Sequence, residues 1–308
     1  MSKTAFLGNA FGLGFCVSFA VSFVLMSQIV QQDGPLVSTL LTYGLSQFLI
    51  LLIRFRHIGD ILRASLSNFR LFSWVNLLTC TNTILVYIIL THLTAFTYVI
   101  LFFGTLPAGV YLMSLRSAGP IKVTLRESFI ALVALAVGIA SIYYGGNSFV
   151  SNPAASLLGV VFTLLASLAG AAYLLVSKRF QKVSGLSTID LVAARFTFTV
   201  LASALWLVLS KETFTVSVDK LFIYIVIALL GSLIPLFLLQ KSNELAGPEV
   251  ASRFLPAIPV LCGLFTVILV PELLTRVDAL LGLLIFLAMG SRLLGNPKPE
   301  KQATAHRG

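Results

Sequence analysis

Apolar runs of membrane-crossing length recur along the whole chain, separated by short stretches where Lys, Arg, Asp, Gly and Pro collect. A helix needs about 20 residues to cross the hydrocarbon core. The pattern predicts ten such spans, at about 5–30, 35–53, 71–91, 93–115, 124–144, 154–177, 187–209, 219–240, 247–270 and 275–294. The runs are too long and too evenly apolar for the alternating segments of about ten residues that build an outer-membrane barrel. Lys3 followed by an apolar run resembles the start of a secretory signal, but the run far exceeds the 7–15 or so residues of a signal core, so it reads as a retained span. The basic loop from Arg54 to Arg70 is long enough for a short helix lying in the membrane surface.

The pattern repeats. Pro107 pairs with Pro259, Phe102 with Phe254, and Leu132-Val-Ala-Leu-Ala-Val-Gly138 with Leu284-Ile-Phe-Leu-Ala-Met-Gly290, all at one ungapped offset of 152 positions. A helix-interior proline and a Leu-x-x-Leu-Ala-x-Gly run held at one spacing point to an internal duplication. Five spans per copy is an odd number, so the second copy crosses in the opposite sense. The expected fold is therefore all-α and integral to the membrane, ten transmembrane helices forming two inverted five-helix repeats. The repeats cover 5–144 and 154–294, with a turn-rich, uncharged connection at 145–154 and a tail at 295–308.

Composition agrees: 58% of residues are hydrophobic, 10% are charged and the mean hydropathy is +1.00, whereas a soluble domain carries about a quarter charged residues. The net charge of +10 does not imply nucleic acid, because the basic residues sit in short inter-helix loops and the C-terminal segment instead of on a water-exposed domain. Their distribution sets orientation instead. Arg54, Arg56, Arg63, Arg70, Arg116, Lys122, Arg126, Lys178, Arg179, Lys182 and Lys241 all fall on one side, and the other side holds Lys211, Lys220 and Arg276 among Asp33, Glu212, Asp219, Glu272 and Asp278. By the positive-inside rule both termini are expected in the cytoplasm, with the protein in the cell (inner) membrane. Cys16, Cys80 and Cys262 lie inside apolar spans and imply no disulfide framework.

The sequence holds no His-Glu-x-x-His, no Gly-x-Ser-x-Gly and no phosphate-cradling Gly-rich Lys loop, and His57, His92 and His306 share no ligand spacing. No catalytic residue, metal or cofactor is expected. The candidates are the polar groups inside spans. Arg195 lies about two turns into the seventh span; Arg253 starts the ninth, four residues after Glu249. A charge at membrane depth costs about 2.5–3.5 kcal/mol on insertion scales. Either arginine serves structure by snorkelling to the surface, or meets an anionic or zwitterionic solute. In the third span Asn76, Cys80, Thr83 and Tyr87 share one helical stripe, read equally as helix–helix glue or cavity lining, and the aromatic Tyr98 is near. Pro107 and Pro259 bend helices and shape the interior. No Asp or Glu sits at the centre of a span, which lowers the case for a cation pump.

With these features the chain resembles the drug/metabolite transporter superfamily, in particular proteins with paired EamA-type domains. The likeness covers about residues 5–294 and rests on the ten-span length, the Ala-Tyr-Leu-Leu-Val-Ser-Lys-Arg run at 172–179, the Arg195 segment, and 251–274 with Pro259 and Pro271. The resemblance implies a central cavity lined by the first, third and fourth helices of each half, which here are spans one, three, four, six, eight and nine. The first half departs from the second by carrying Tyr43 where the second has Arg195, and Pro120 where it has Glu272. The expected function is secondary transport, outward, of a small organic solute such as an amino acid or related metabolite, by alternating access. Asn76, Cys80, Thr83, Tyr87, Tyr98, Arg195 and Arg253 are the candidate solute contacts. Membrane lipid surrounds the chain, and a coupling proton or an exchanged solute are the energy partners left open. A membrane enzyme acting on lipid-linked substrates and a non-transporting sensor are the alternatives.

Overall fold

The structure is a computed structural model that describes residues 3–114, 132–133, 135–137, 139–140, 153–210, 217–248, 251, 254–255 and 257–269. The tenth span, the tail, most of the fifth span and Arg253 lie outside the described residues.

Within them every regular element is helical: α1 (Lys3–Asp33), α2 (Pro35–Ile53), a 3-10 turn (Phe55–His57), α3 (Ile58–Ser67), α4 (Phe69–Ile89), α5 (Ala95–Ser114), α6 (Pro153–Ser184), α7 (Thr188–Ala194), α8 (Thr197–Ser210), α9 (Val218–Ile227), a π-helical turn (Ala228–Leu233), α10 (Ile234–Ala246) and α11 (Ala257–Leu269). Among the described residues seven stretches are long and apolar enough to cross a membrane: Phe6–Ser27, Pro35–Ile53, Phe69–Ile89, Ala95–Met113, Ser156–Ser184, Thr188–Ser210 and Val218–Ala246, with Ala257–Leu269 as a shorter apolar helix. This is a multi-pass membrane protein. The basic loop between the second and third spans does hold a helix, α3, which buries Ile61 and Ser65 and exposes Leu62 and Leu66.

Lipid offers leucine no worse a solvent than another leucine, so helices associate where small side chains let backbones approach. Gly8, Gly12, Cys16 and Ala20 form such a stripe on α1. A Cβ on Gly8 would lie 2.7 Å from Ala246 Cβ, and one on Gly12 would meet Phe254 and Ser242. On this seam α1 packs along α10 and α11, and Cys16 Sγ donates to the Phe254 carbonyl at 3.3 Å. A second stripe on α6, Gly159, Thr163, Ser167 and Ala171, faces α4 and α5. Ser167 Oγ donates to the Phe102 carbonyl at 3.1 Å. Elsewhere α2 and α4 both pack on α8.

Among the spans described throughout, two depart from the uninterrupted helices the hydropathy predicts. The eighth widens into the π-helical turn, which ends two residues before its proline. Pro235 has no N–H to give back to the preceding turn, and polar groups from the N-terminal elements take up nearby carbonyls: Ser22 Oγ donates to Leu230 O at 2.6 Å and Ser46 Oγ to Ala228 O at 3.3 Å. The seventh breaks between α7 and α8 at Arg195–Phe196. No glycine or proline stands there. The break is held by side-chain amides from two other helices: Gln47 Nε2 donates to Ala193 O at 2.7 Å and Asn76 Nδ2 to Ala194 O at 3.0 Å, while Asn76 Oδ1 accepts from Phe198 N at 3.3 Å. Irregular backbone at membrane depth survives only where its polar groups find such partners.

Candidate functional site

The broken seventh span delivers Arg195 to the interior. Its side chain is 4% exposed and lines a cavity of about 80 Å³ that α1, α2, α4, α5, α6, the π-helical turn, α10 and Leu255 enclose. The guanidinium carbon stands 4.1 Å from the centre of the Tyr173 ring and 5.3 Å from that of Phe196. Two aromatic faces thus share the cation, a contact worth about 2 kcal/mol where water is excluded. Nε and Nη1 have no hydrogen-bond partner among the described residues. A buried guanidinium with N–H donors left open has the chemistry to bind an anion through charge-assisted hydrogen bonds.

Much of the rest of the wall is aromatic. Phe15, Phe19 and Phe23 follow one another at one turn on α1, with ring centres 5.4 and 5.2 Å apart, and meet Phe103 at 5.2 Å and Tyr98 at 5.3 Å across the gap to α5. Tyr98 continues the stack onto Phe102 at 5.2 Å. Polar lining comes from Tyr43, Asn82 and Thr83. Asn82 Oδ1 is buried without a partner among the described residues. Among the described residues no Asp or Glu is part of the lining.

The residues expected at the site divide by position. Thr83, Tyr98 and Arg195 share the cavity. Thr83 Oγ1 also donates to the Thr79 carbonyl at 2.9 Å and meets Thr199 Oγ1 at 3.2 Å. Asn76 is fully buried with its amide spent on the break in the seventh span and on Phe72 O at 3.1 Å. Cys80 is half-buried with its thiol against Thr199. The Tyr87 hydroxyl donates to Met26 Sδ at 3.0 Å, and its ring packs edge-on to Tyr43 with centres 6.0 Å apart. Pro107 and Pro259 are buried within α5 and α11. The stripe of the third span therefore serves both as glue, through Asn76, and as lining, through Thr83.

Three groups of the wall escape a sequence reading aimed at polar and charged residues. Tyr173 carries Arg195 yet sits in an apolar run. The phenylalanines of α1 are spaced by four and announce one helical face, but such spacing is common in packing helices. Tyr43 is the position 152 residues before Arg195, and both line the one cavity.

Polar clusters tie N-terminal to C-terminal elements at the two ends of the helices. At one end Lys220 Nζ donates to Asp33 Oδ1, Tyr224 OH donates to Asp33 Oδ2 at 3.0 Å, and Ser38 Oγ meets the same hydroxyl at 3.0 Å. At the other, Arg54 grips Asp190 with two bonds, Nε to Oδ1 at 2.7 Å and Nη2 to Oδ2 at 3.1 Å. Beside this second pair, Glu244 accepts from Thr188 Oγ1, from Gln181 Nε2 at 3.2 Å and from Lys241 Nζ at 2.9 Å. Tyr173 OH reaches the same cluster through Gln240 Oε1, at 3.2 Å.

Residues 157–290 match the model of the EamA-like transporter family. Among curated proteins none matches the sequence. Fourteen chains of solved structures are similar in three dimensions. One, a crystal structure described only as that of a protein, matches 94% of this chain and 99% of its own with a TM-score of 0.66 and 14% identity, a likeness that speaks for the fold alone.

Proposed function

We propose, from the match of residues 157–290 to the EamA-like transporter family and the resemblance of the chain to the drug/metabolite transporter superfamily, that the whole chain is a secondary transporter that exports a small organic solute through the Arg195 cavity by alternating access. One observation carries the proposal: a buried cation with open N–H donors stands in an aromatic cavity where N-terminal and C-terminal elements meet. The solute class follows from the wall. A carboxylate answers the guanidinium, rings accept an apolar or aromatic body, and Asn82 Oδ1 is an acceptor for an ammonium group. An amino acid or a closely related carboxylic metabolite meets all three. With no acidic group in the lining among the described residues, a polycation finds no counter-charge there.

Ten helices in two inverted repeats, 5–144 and 154–294, are the architecture this reading takes. It draws support from packing that exchanges under the duplication: α1 lies along α10 and α11 as α6 lies along α4 and α5. The bonds run in parallel, since Cys16 reaches the carbonyl of Phe254 and Ser167 that of Phe102; the two phenylalanines are 152 positions apart and the two donors 151. Thr83, Tyr98 and Arg195 touch solute, Asn76 positions Arg195 through the helix break, and Pro107 and Pro259 shape the walls. Alternating access then requires one cross-element clamp to open while the other holds. Opening at the Asp33 end parts Lys220 and Tyr224 from α1, and opening at the Arg54 end parts Arg54 from Asp190. By the positive-inside rule the Arg54 end is cytoplasmic and the membrane is the cell (inner) membrane.

The test is solute flux. Purified protein in liposomes loaded with a labelled mixture of amino acids and carboxylic metabolites should release one class selectively, with or without a pH gradient according to whether a proton or an exchanged solute drives it. Vesicles holding folded protein that retain every carboxylate while releasing cations or neutral solutes would refute the assignment.

A further inference from the structure

A second concavity opens on the outer surface of the helices, away from the Arg195 cavity. Arg70, Leu71, Trp74 and Leu78 of α4 face Ala172, Val176 and Arg179 of α6 across a groove of about 520 Å³. The two helices run in opposite directions, so Arg70 in the first turn of α4 and Arg179 near the end of α6 stand at the same mouth. From that mouth the lining descends to Leu78 and Ala172, a depth of about 12 Å at 1.5 Å per helical residue, and every deeper residue is apolar or aromatic.

Both arginines are exposed and neither forms an ion pair or hydrogen bond among the described residues, whereas Arg54 on the same side is committed to Asp190. A soluble protein would bury or fill so apolar a slot. Here it faces lipid, and its composition changes from cationic to apolar in the order in which a phospholipid changes from headgroup to chain. Trp74, 48% exposed just inside the mouth, suits the interface between the two. The mouth also lies on the basic side of the membrane, with Lys182 exposed one turn on from Arg179 along α6, where anionic headgroups gather.

We infer that this groove between α4 and α6 is a binding site for one anionic phospholipid, its phosphate between Arg70 and Arg179 and an acyl chain along Trp74, Leu78, Ala172 and Val176. Occupancy bears on the transport site, because α4 supplies Thr83 and α6 supplies Gly170, Tyr173 and Leu174 to the cavity.

The probe is phosphatidylglycerol in phosphatidylcholine nanodiscs holding the full chain, with retained lipid counted by native mass spectrometry. Wild type should keep one phosphatidylglycerol in preference to phosphatidylcholine. Arg70→Gln with Arg179→Gln should weaken that retention roughly thirtyfold, two cations' worth of attraction. Arg56→Gln with Arg63→Gln, on the surface segment outside the groove, should leave it unchanged. Ala172→Trp, or Val176→Trp should the first fail to fold, fills the groove while leaving both arginines in place and should also release the lipid. Equal retention by the Arg70/Arg179 variant overturns the site. So does undiminished retention by the folded filled variant, which would reduce the effect to general surface attraction, and so does a stable dimer that excludes lipid from the groove.

Discussion

Replacing Asn76 by leucine separates positioning from binding, because Asn76 does not line the cavity. The side chain is fully buried and its amide makes two bonds to the interrupted seventh span, to Ala194 O at 3.0 Å and from Phe198 N at 3.3 Å. Leucine has a similar volume and neither group. Cross-helix hydrogen bonds in membranes contribute about 0.6 kcal/mol on average and up to about 1.7, so losing two costs about 1–3 kcal/mol, which a chain of this size survives. The local effect is larger than the global one. No proline or glycine enforces the break, so residues 194–198 are free to close into continuous helix, and Arg195 then leaves the Tyr173 ring. Melting of Asn76→Leu should fall by only a few degrees, while transport of a carboxylate should fall tenfold or more and lose its preference over the matching amide. Thr79→Val, on the same helix where the hydroxyl Oγ1 has no partner among the described residues, should change neither. Asn76→Leu that transports at the wild-type rate with its selectivity intact would refute the positioning role.

Three further outcomes follow from other contacts. Tyr173→Phe keeps the ring under Arg195 and loses the contacts of the hydroxyl, the bond to Gln240 among them, so it should transport better than Tyr173→Leu, which removes a cation–π contact of about 2 kcal/mol; initial rates in the same vesicles decide. Asp33→Asn and Asp190→Asn should shift the resting population in opposite directions, read as faster labelling of Thr83→Cys, with Cys16, Cys80 and Cys262 replaced, by an impermeant thiol reagent from the side whose clamp is weakened; labelling that changes on the same side for both contradicts the two-clamp scheme. Gly8→Leu drives a side chain into Ala246 and should destabilise by about 1–3 kcal/mol through overpacking, seen as a lower melting temperature, whereas Gly59→Ala, with open space around it, should not.

Where helices start and stop was legible because water and lipid sort side chains by the same rule everywhere: α2 at Pro35–Ile53 matches its hydropathy run residue for residue. Interruptions were legible only where the residue causing them is local. Pro235 announces trouble in the eighth span, but the break at Arg195–Phe196 is made by Gln47 and Asn76 from other helices, and a sequence does not say which helices will be neighbours. The same distance hides the site. Asn76, Thr83 and Tyr87 stand on one stripe in the sequence, yet their partners, Ala194, Thr199 and Met26, lie on different elements and give each a different duty. Arg195 stood out because a charge at membrane depth is costly wherever it points. Tyr173 did not, since a tyrosine in an apolar run looks the same under a guanidinium as against lipid.

The central claim is that Arg195 receives the carboxylate of a transported solute. Its most direct test is the flux of that solute and of its uncharged amide in vesicles bearing wild type or Arg195→Gln, inserted in equal amount. A charge-assisted hydrogen bond is worth about 1.5–3 kcal/mol, so the account predicts that wild type moves the carboxylate and scarcely the amide, and that Arg195→Gln slows the carboxylate at least tenfold while narrowing the gap between the two. Equal carboxylate flux through both proteins, with the amide still rejected, would contradict it.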